Sequence, residues 1–171
     1  MPNTPSLLGL GAIGMYAPES TPKHHRELSE DILGAVSAPG GGLVWVEREE
    51  LLDAVTAVSG SGPAYHFYIT ELIEKEGIRM GLDQMTARKL AIYTALGSST
   101  MMANQCLESS DNSGAAPLNP EDLRKRVTSP NGTTHAAILS LQNEGLPTLI
   151  HKALEACNSR AQEIGDELEK Q

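Results

Sequence analysis

The spacing of apolar and polar residues divides the chain into a short mixed part and a long helical part. Residues 7–17 (LLGLGAIGMYA) are almost wholly apolar, which predicts an extended segment. Ser20-Thr21-Pro22 favours the start of a helix, because a proline at an early helical position loses no hydrogen bond. LVWVE, residues 43–47, is rich in strand-forming residues. The first part therefore predicts β-α-β order, and such a fragment cannot cover both faces of its own strands.

From Glu49 onward the apolar residues recur at helical spacing, and no further strand is predicted. Asp83 and Asn119 are candidate N-caps, and the composition of residues 109–118 predicts a loop. The sequence therefore predicts a mainly α protein, with a partial β-α-β unit in residues 1–48 and an all-helical domain in residues 49–171. The predicted helices cover 49–60, 62–81, 84–108, the stretch opening at 120, 135–145 and the stretch from about 147.

Two helices carry patterns that predict close contact with another helix. The one after Asp83 has a row of small residues that would let a neighbour approach closely. The last helix has apolar residues at steps of four and three, which is a narrow seam of heptad type. That seam fits either the buried face of a bundle or a subunit interface. The small row is Ala87, Ala91, Ala95 and Ser98, and the seam is Ile150, Leu154, Cys157, Ala161, Ile164 and Leu168.

Composition narrows the class of partner. The net charge is −9, from 13 basic and 22 acidic residues, which argues against nucleic acid or an anionic membrane as the main partner. Cys106 and Cys157 have no metal-binding spacing, so no metal site is predicted. The chain shows no signal segment and no apolar run of membrane-spanning length, and we expect it in the cytoplasm.

Gly9, Gly11 and Gly14 have the spacing of the dinucleotide-binding fingerprint GxGxxG. That motif needs a strand before it and a helix that opens at its third glycine. Pro2 and Pro5 precede it, and prolines at 18 and 22 leave no room for such a helix. The surroundings favour a glycine-containing strand over a phosphate loop.

VTSPNGTT, residues 127–134, is the stretch best suited to chemistry. The helix predicted directly after it would place Gly132, Thr133 and Thr134 at a helix N-terminus, where free N–H groups and the helix dipole favour an anion. The Ser129 hydroxyl can add a donor. The alternative is ordinary helix capping by Thr133 or Asn131. The five histidines form no readable nucleophile–base pair, so no catalytic residue is assigned.

Three motifs resemble those of one enzyme family. VTSPNGTTHAAILSLQ is similar to the signature of pyrroline-5-carboxylate reductase, and SGSGPAY preceded by DAVTAV and the opening MPNTP match further family motifs. The resemblance runs from Met1 to about Gly165. It implies the reduction of 1-pyrroline-5-carboxylate to L-proline with NADPH or NADH. It also implies a dinucleotide-binding domain followed by a helical domain that interlocks in a homodimer, which can associate further into rings.

The resemblance also assigns roles to individual residues. Ser129, Gly132, Thr133 and Thr134 match the family loop that holds the substrate carboxylate, and Asn131 stands where that loop usually has glycine. Asn tolerates left-handed backbone, so the loop shape is expected to persist. Asn3, Thr4 and Pro5 match a loop next to the cofactor. The connector 37–42 and the loop 109–118 are expected to be surface insertions.

The resemblance implies that the family's true glycine fingerprint lies upstream of the position that corresponds to Met1. Residues 1–48 then correspond to the end of the dinucleotide-binding domain, and the chain corresponds to a C-terminal portion of the enzyme. Two functions remain open: a truncated reductase, or a non-catalytic module that dimerises through residues 49–171.

Overall fold

The computed structural model describes residues 1–107 and 117–170, so most of the predicted loop 109–118 lies outside the described residues. The chain divides by its internal contacts into two compact units. The first unit comprises Met1–Tyr65 and the C-terminal stretch from Ile150, and the second comprises His66–Leu149. The elements are β1 (Ile13–Met15), α1 (Lys23–Gly34), β2 (Leu43–Trp45), α2 (Leu51–Val55), α3 (Gly62–Arg79), α4 (Gln84–Met102), α5 (Pro120–Arg126), α6 (Thr133–Asn143) and α7 (Leu146–Glu169).

The first unit contains the predicted β-α-β order. β1 and β2 pair in parallel, with Gly14 opposite Val44, and α1 connects them. The fold-class prediction of a mainly α protein with a small β-α-β unit is confirmed, and no strand follows β2 in residues 1–107 and 117–170.

The prediction of an extended segment over 7–17 is wrong at its start. Thr4–Leu8 form a 3₁₀ helix, and the strand covers only Ile13–Met15. The prediction rested on the apolar run, but Pro5, two residues before that run, has a φ compatible with a helix, and the 3₁₀ helix that begins beside it continues through Leu7 and Leu8. Gly9 then ends the helix in the left-handed region, with φ of 68°, and its N–H bonds to the Ser6 carbonyl at 3.1 Å.

The fingerprint glycines are explained by close packing. A Cβ at Gly11 would lie 2.8 Å from the Val36 carbonyl oxygen, and one at Gly14 would lie 2.6 Å from Cγ1 of Val55. No helix opens at Gly14, since α1 begins at Lys23. Gly14 lies within β1 and Gly11 forms an isolated parallel bridge with Ser37, so the strand interpretation is confirmed for these two glycines.

A turn of π-helix joins α2 to α3. Thr56–Gly60 continue α2 with wider turns, and the N–H of Ser61 bonds to the Thr56 carbonyl at 2.8 Å. Gly62 and Pro63 then open α3. The predicted helix over 49–60 is therefore confirmed, with a change of pitch at its end. π-turns within helices are often found at functional sites.

In the second unit, α3 and α4 pack closely where their side chains are small. A Cβ at Gly77 would lie 3.3 Å from the Ala87 Cβ, and Ala87 and Ala91 are buried. Arg88 reinforces the pair by donating to Glu74 at 2.9 and 3.0 Å. Close approach is confirmed for the first two members of the small row, whereas Ala95 is half-buried and Ser98 is exposed.

Both predicted N-caps are confirmed. Asp83 accepts from the N–H groups of Met85 and Thr86 at 3.1 and 3.0 Å. Its bonds with Thr86 hold the pKa of the Asp83 carboxyl below its usual value. Asn119 and Asp122 form a reciprocal capping box at the start of α5. These polar residues therefore fix where two helices begin.

Large apolar side chains lie mostly on the surface of the described chain. The buried apolar residues are Ile13, Met15, Ala57, Ala87 and Ala91. Phe67 on α3 is 70% exposed and Tyr93 on α4 is 67% exposed. The α7 seam is open too, with Ile164 44% exposed and Leu168 64% exposed. Leu154, Cys157 and Ala161 of the same seam are half-buried, so the seam keeps both interpretations, the face of a bundle and a subunit interface.

Two further findings concern membrane-spanning helices and the cysteines. Among the residues that the structure describes, no helix is long and apolar enough to cross a membrane. Cys106 and Cys157 are both free thiols.

The packing role of Gly14 is testable with a double-mutant cycle. Gly14→Ala should destabilise the protein by about 1–3 kcal/mol, because its methyl group would overlap the Val55 side chain. In a Val55→Ala background the same change should cost clearly less, since both Cγ atoms are gone. Thermal or urea unfolding measures the four proteins. An equal cost in both backgrounds would show that the contact with Val55 is not what requires glycine.

Candidate functional site

The loop before α6 is a tight turn with an unusual backbone. The N–H of Gly132 bonds to the Ser129 carbonyl at 3.0 Å, which closes the turn around Pro130 and Asn131. Asn131 has φ of 61° and is the one non-glycine residue with positive φ in the described chain. Proline followed by a residue with positive φ is the pattern of a type II turn, in which glycine or asparagine occupies the third position. Asn131 therefore preserves a backbone shape that glycine adopts most readily.

The turn leads directly into α6, and the N-terminus of α6 has no side-chain cap. Gly132 is the N-cap residue, in extended conformation, and no side chain accepts a hydrogen bond there. The first intrahelical bond runs from the N–H of Ala136 to the Gly132 carbonyl at 3.1 Å. The N–H groups of residues 133–135 precede that bond, as at the start of any helix. The capping alternative is wrong, in contrast to the capped starts of α4 and α5.

Three residues with hydroxyl groups, Ser129, Thr133 and Thr134, belong to this uncapped helix start. A Cβ at Gly132 would lie 2.6 Å from the Ser129 Oγ, so that hydroxyl lies against the backbone at the helix start. Thr133 and Thr134 are the first two residues of α6 and are exposed, as are Ser129 and Asn131. The five predicted residues are thus brought together on one exposed turn that can donate to a carboxylate or phosphate.

The charges that precede the loop are basic. Arg124, Lys125 and Arg126 form the last turn of α5, and the Thr128 hydroxyl donates to the Arg124 carbonyl at 2.6 Å. Lys125 is paired with Glu121 at 2.9 Å, and this bond lowers the pKa of the Glu121 carboxyl. Arg124 also lies 3.6 Å from the Glu121 carboxylate, so two of the three cations of this turn are paired within α5.

The other predicted loop, Asn3 to Pro5, belongs to the first unit and has a different character. The Asn3 Oδ1 accepts from the Ala12 N–H at 3.0 Å, and its Nδ2 donates to the Ser59 carbonyl at 3.0 Å. Thr4 and Pro5 begin the 3₁₀ helix, and Thr4 is exposed. The Asn3 side chain is therefore engaged with the protein itself.

A polar contact at the start of α3 could not be predicted from the sequence. The Cys157 thiol on α7 donates to the Ser61 hydroxyl at 3.2 Å. Tyr65, one turn along α3, lies beside them, and its interaction with the Cys157 thiol, together with burial, raises the pKa of the Tyr65 hydroxyl. Ser61 belongs to the motif SGSGPAY, and Cys157 belongs to the α7 seam. Their 96-residue separation hid the connection.

The architecture is a helical domain with an uncapped helix start at α6, preceded by the β-α-β element of an α/β fold. A family model described as pyrroline-5-carboxylate reductase dimerisation matches residues 49–164. The chain is 42% identical over 168 residues to the pyrroline-5-carboxylate reductase of Pseudomonas aeruginosa, which covers 98% of this chain and 56% of that protein. Identity to the enzyme of Haemophilus influenzae is 39%, covering 96% and 55%. The chain therefore belongs to the pyrroline-5-carboxylate reductase family and spans about half the length of these relatives.

Solved structures agree with this assignment. A pyrroline-5-carboxylate reductase from Coxiella burnetii superposes with a TM-score of 0.81 at 39% identity, covering 95% of this chain and 55% of that one. The Plasmodium falciparum pyrroline carboxylate reductase, solved with NADP bound, gives a TM-score of 0.77 at 24% identity over 96% of this chain and 61% of that one. The second likeness is evidence for the fold alone.

The left-handed backbone at Asn131 leads to a prediction about loop stability. Asn131→Ala should destabilise the protein by up to about 1–2 kcal/mol, because a residue with a Cβ and no local polar side chain is disfavoured at φ of 61°. Asn131→Gly should be neutral or stabilising. Urea unfolding of the two variants and the wild type measures the difference. An alanine variant as stable as the glycine variant would contradict the strained turn.

Proposed function

We propose that the chain is the substrate-binding and dimerising part of a reductase that converts 1-pyrroline-5-carboxylate to L-proline with NADPH or NADH. The observation that carries the proposal is the uncapped start of α6. Its free N–H groups and the hydroxyls around them suit a small carboxylate, and the same residues match the carboxylate-binding loop of the family.

In this proposal the loop supplies orientation. The substrate and the product both carry a carboxylate on a five-membered ring, and the N–H groups at Thr133 and Thr134 would hold that end. Fixing the carboxylate restricts how the C=N bond of the ring is presented, which lowers the entropic barrier to reaction. Reduction adds a hydride to the C=N carbon and a proton to the nitrogen, and the nicotinamide supplies the hydride when bound. Among the described residues we assign none as the acid.

Asn3, Thr4 and Pro5 are too few to hold a dinucleotide by themselves. Asn3 is committed to Ala12 and Ser59, Pro5 has no N–H, and the glycines at 11 and 14 are packed against other parts of the first unit. These residues are compatible with a loop beside a nicotinamide but form no cradle for its pyrophosphate. We therefore propose contact with one end of the cofactor only.

A homodimer completes the proposal. Large apolar side chains are exposed on each of α3, α4 and α7, and exposed apolar surface of this kind suits a protein interface. The family model matching residues 49–164 is a dimerisation model. An α3–α4 groove of about 430 Å³, lined by Ile69, Ile73, Leu90 and Ala95 among others, is the place we propose for a partner's helix.

The alternative function is a dimerisation module without activity. It is favoured by the packing role of the glycines, which removes the one phosphate-binding motif that the sequence offers. An NADPH titration and a reductase assay on the purified chain separate the two. Turnover of 1-pyrroline-5-carboxylate would exclude the inactive module. A stable dimer with neither NADPH binding nor turnover would exclude a self-sufficient reductase.

The carboxylate role of the loop can be measured without turnover. Thr134→Val removes one hydroxyl at nearly constant volume and should weaken L-proline binding about tenfold, since a hydrogen bond to a charged group is lost. Isothermal titration calorimetry gives the affinity. Thr100→Val is the matched control, because the Thr100 hydroxyl bonds to the Leu96 carbonyl on α4 and should leave L-proline affinity unchanged. Equal affinities for wild type and Thr134→Val would exclude the Thr134 hydroxyl as a donor.

A further inference from the structure

Asn3 occupies an N-cap position without acting as an N-cap. It precedes the 3₁₀ helix Thr4–Leu8 in extended conformation, yet its side chain makes no cap hydrogen bond. Asparagine is favoured at such positions because its oxygen accepts from the second or third N–H of the helix. Here the second residue is Pro5, which has no N–H, and the N–H of Ser6 bonds to the Asn3 carbonyl at 3.1 Å. The carboxamide is thus left for other partners.

Those partners lie at two different places in the first unit. The oxygen accepts from the Ala12 N–H, immediately before β1, and the nitrogen donates to the Ser59 carbonyl, within the π-helical turn Thr56–Gly60. Asn3 and Ser59 are 56 residues apart in sequence, and Asn3 is half-buried. One side chain therefore ties the Asn3–Pro5 loop both to the strand and to the junction that opens α3.

Each bond needs a different half of the carboxamide. A carboxylate would retain the acceptor for Ala12 but would face the Ser59 carbonyl without a donor, and an aliphatic side chain would lose both. The same junction is held from α7 through the contact of Cys157 with Ser61. Thr4 follows Asn3 directly and is exposed.

We infer that Asn3 is a positioning residue: it fixes the Thr4–Pro5 loop against the α3 junction and is not itself a ligand of the cofactor. This inference rests on the proposed function, because it concerns the loop that the proposal places beside the nicotinamide. It assigns recognition of the cofactor end to the exposed Thr4 and the backbone around it. The carboxamide acts through the geometry that it imposes on them.

The test compares Asn3→Asp and Asn3→Ala in the full chain, with Asn143→Ala, an exposed asparagine at the end of α6, as the control. The amide resonances of the ligand-free protein report whether the hydrogen bonds of the Asn3 side chain to Ala12 and Ser59 are present. In Asn3→Asp the Ala12 resonance should stay near its wild-type position while those of residues 60–62 shift, and in Asn3→Ala both should shift. Circular dichroism melting shows that each variant is folded, and Asn3→Asp alone carries the test where Asn3→Ala unfolds.

The functional readout is NADPH binding, followed by the fluorescence of the nicotinamide. Affinity should fall in Asn3→Asp and fall further, by about tenfold in all, in Asn3→Ala. The control should keep wild-type affinity. Graded loss of affinity that parallels the resonance shifts supports positioning.

Four results would overturn the inference. Unmoved resonances at Ala12 and 60–62 would show that the two hydrogen bonds of the Asn3 side chain do not exist. A loss of NADPH affinity without such shifts would make Asn3 a direct ligand of the cofactor. Unchanged NADPH affinity in both variants, with the wild type binding, would exclude a role for Asn3 toward the cofactor while leaving the proposed function intact. A wild-type chain that binds no NADPH at millimolar concentration would instead remove the cofactor part of the proposed function, and this inference with it.

Discussion

Apolar surface that the chain does not cover is the constraint on which its structure depends. Burial of such surface is the main favourable term in folding, and here few large side chains are removed from water. Ile13 is fully buried, but Phe67, Tyr93 and Leu168 are each more than half exposed. Helices with exposed apolar faces are stabilised by whatever packs on those faces. The proposed dimer therefore follows from the same physics that shapes the helices.

Elements of the chain lie close together where the side chains between them are small. Gly77 and Ala87 bring α3 and α4 together, and Gly14 lets β1 lie against Val55. Because these contacts involve small groups, polar contacts do much to fix how the elements within each unit pack. Arg88 joins Glu74 across two helices, and Asn3 joins a loop, a strand and a helical junction. The two compact units are each organised by a few specific contacts of this kind.

Helix caps and turns could be predicted from the sequence, whereas contacts between residues far apart in the sequence could not. Asp83 and Asn119 could be identified as caps because a cap is decided by a residue and its next few neighbours. The turn at Asn131 was predictable for the same reason. The 3₁₀ helix at residues 4–8 was missed, because an apolar run resembles a strand unless the proline and glycine that bound it are weighed more heavily. The bonds of Asn3 to Ser59 and of Cys157 to Ser61 join residues 56 and 96 positions apart, where no local pattern applies. The α6 loop could be singled out from its own Ser, Thr, Asn and Gly residues because they are contiguous, and the family resemblance then assigned roles to them.

The central claim is that the open apolar faces of the helices are covered by a second copy of the chain. Sedimentation equilibrium on the purified wild-type protein at micromolar concentration tests it directly. The account predicts a species at twice the chain mass of 18.2 kDa, with no monomer at the higher concentrations. A folded protein that remains at 18.2 kDa throughout the concentration range would contradict it.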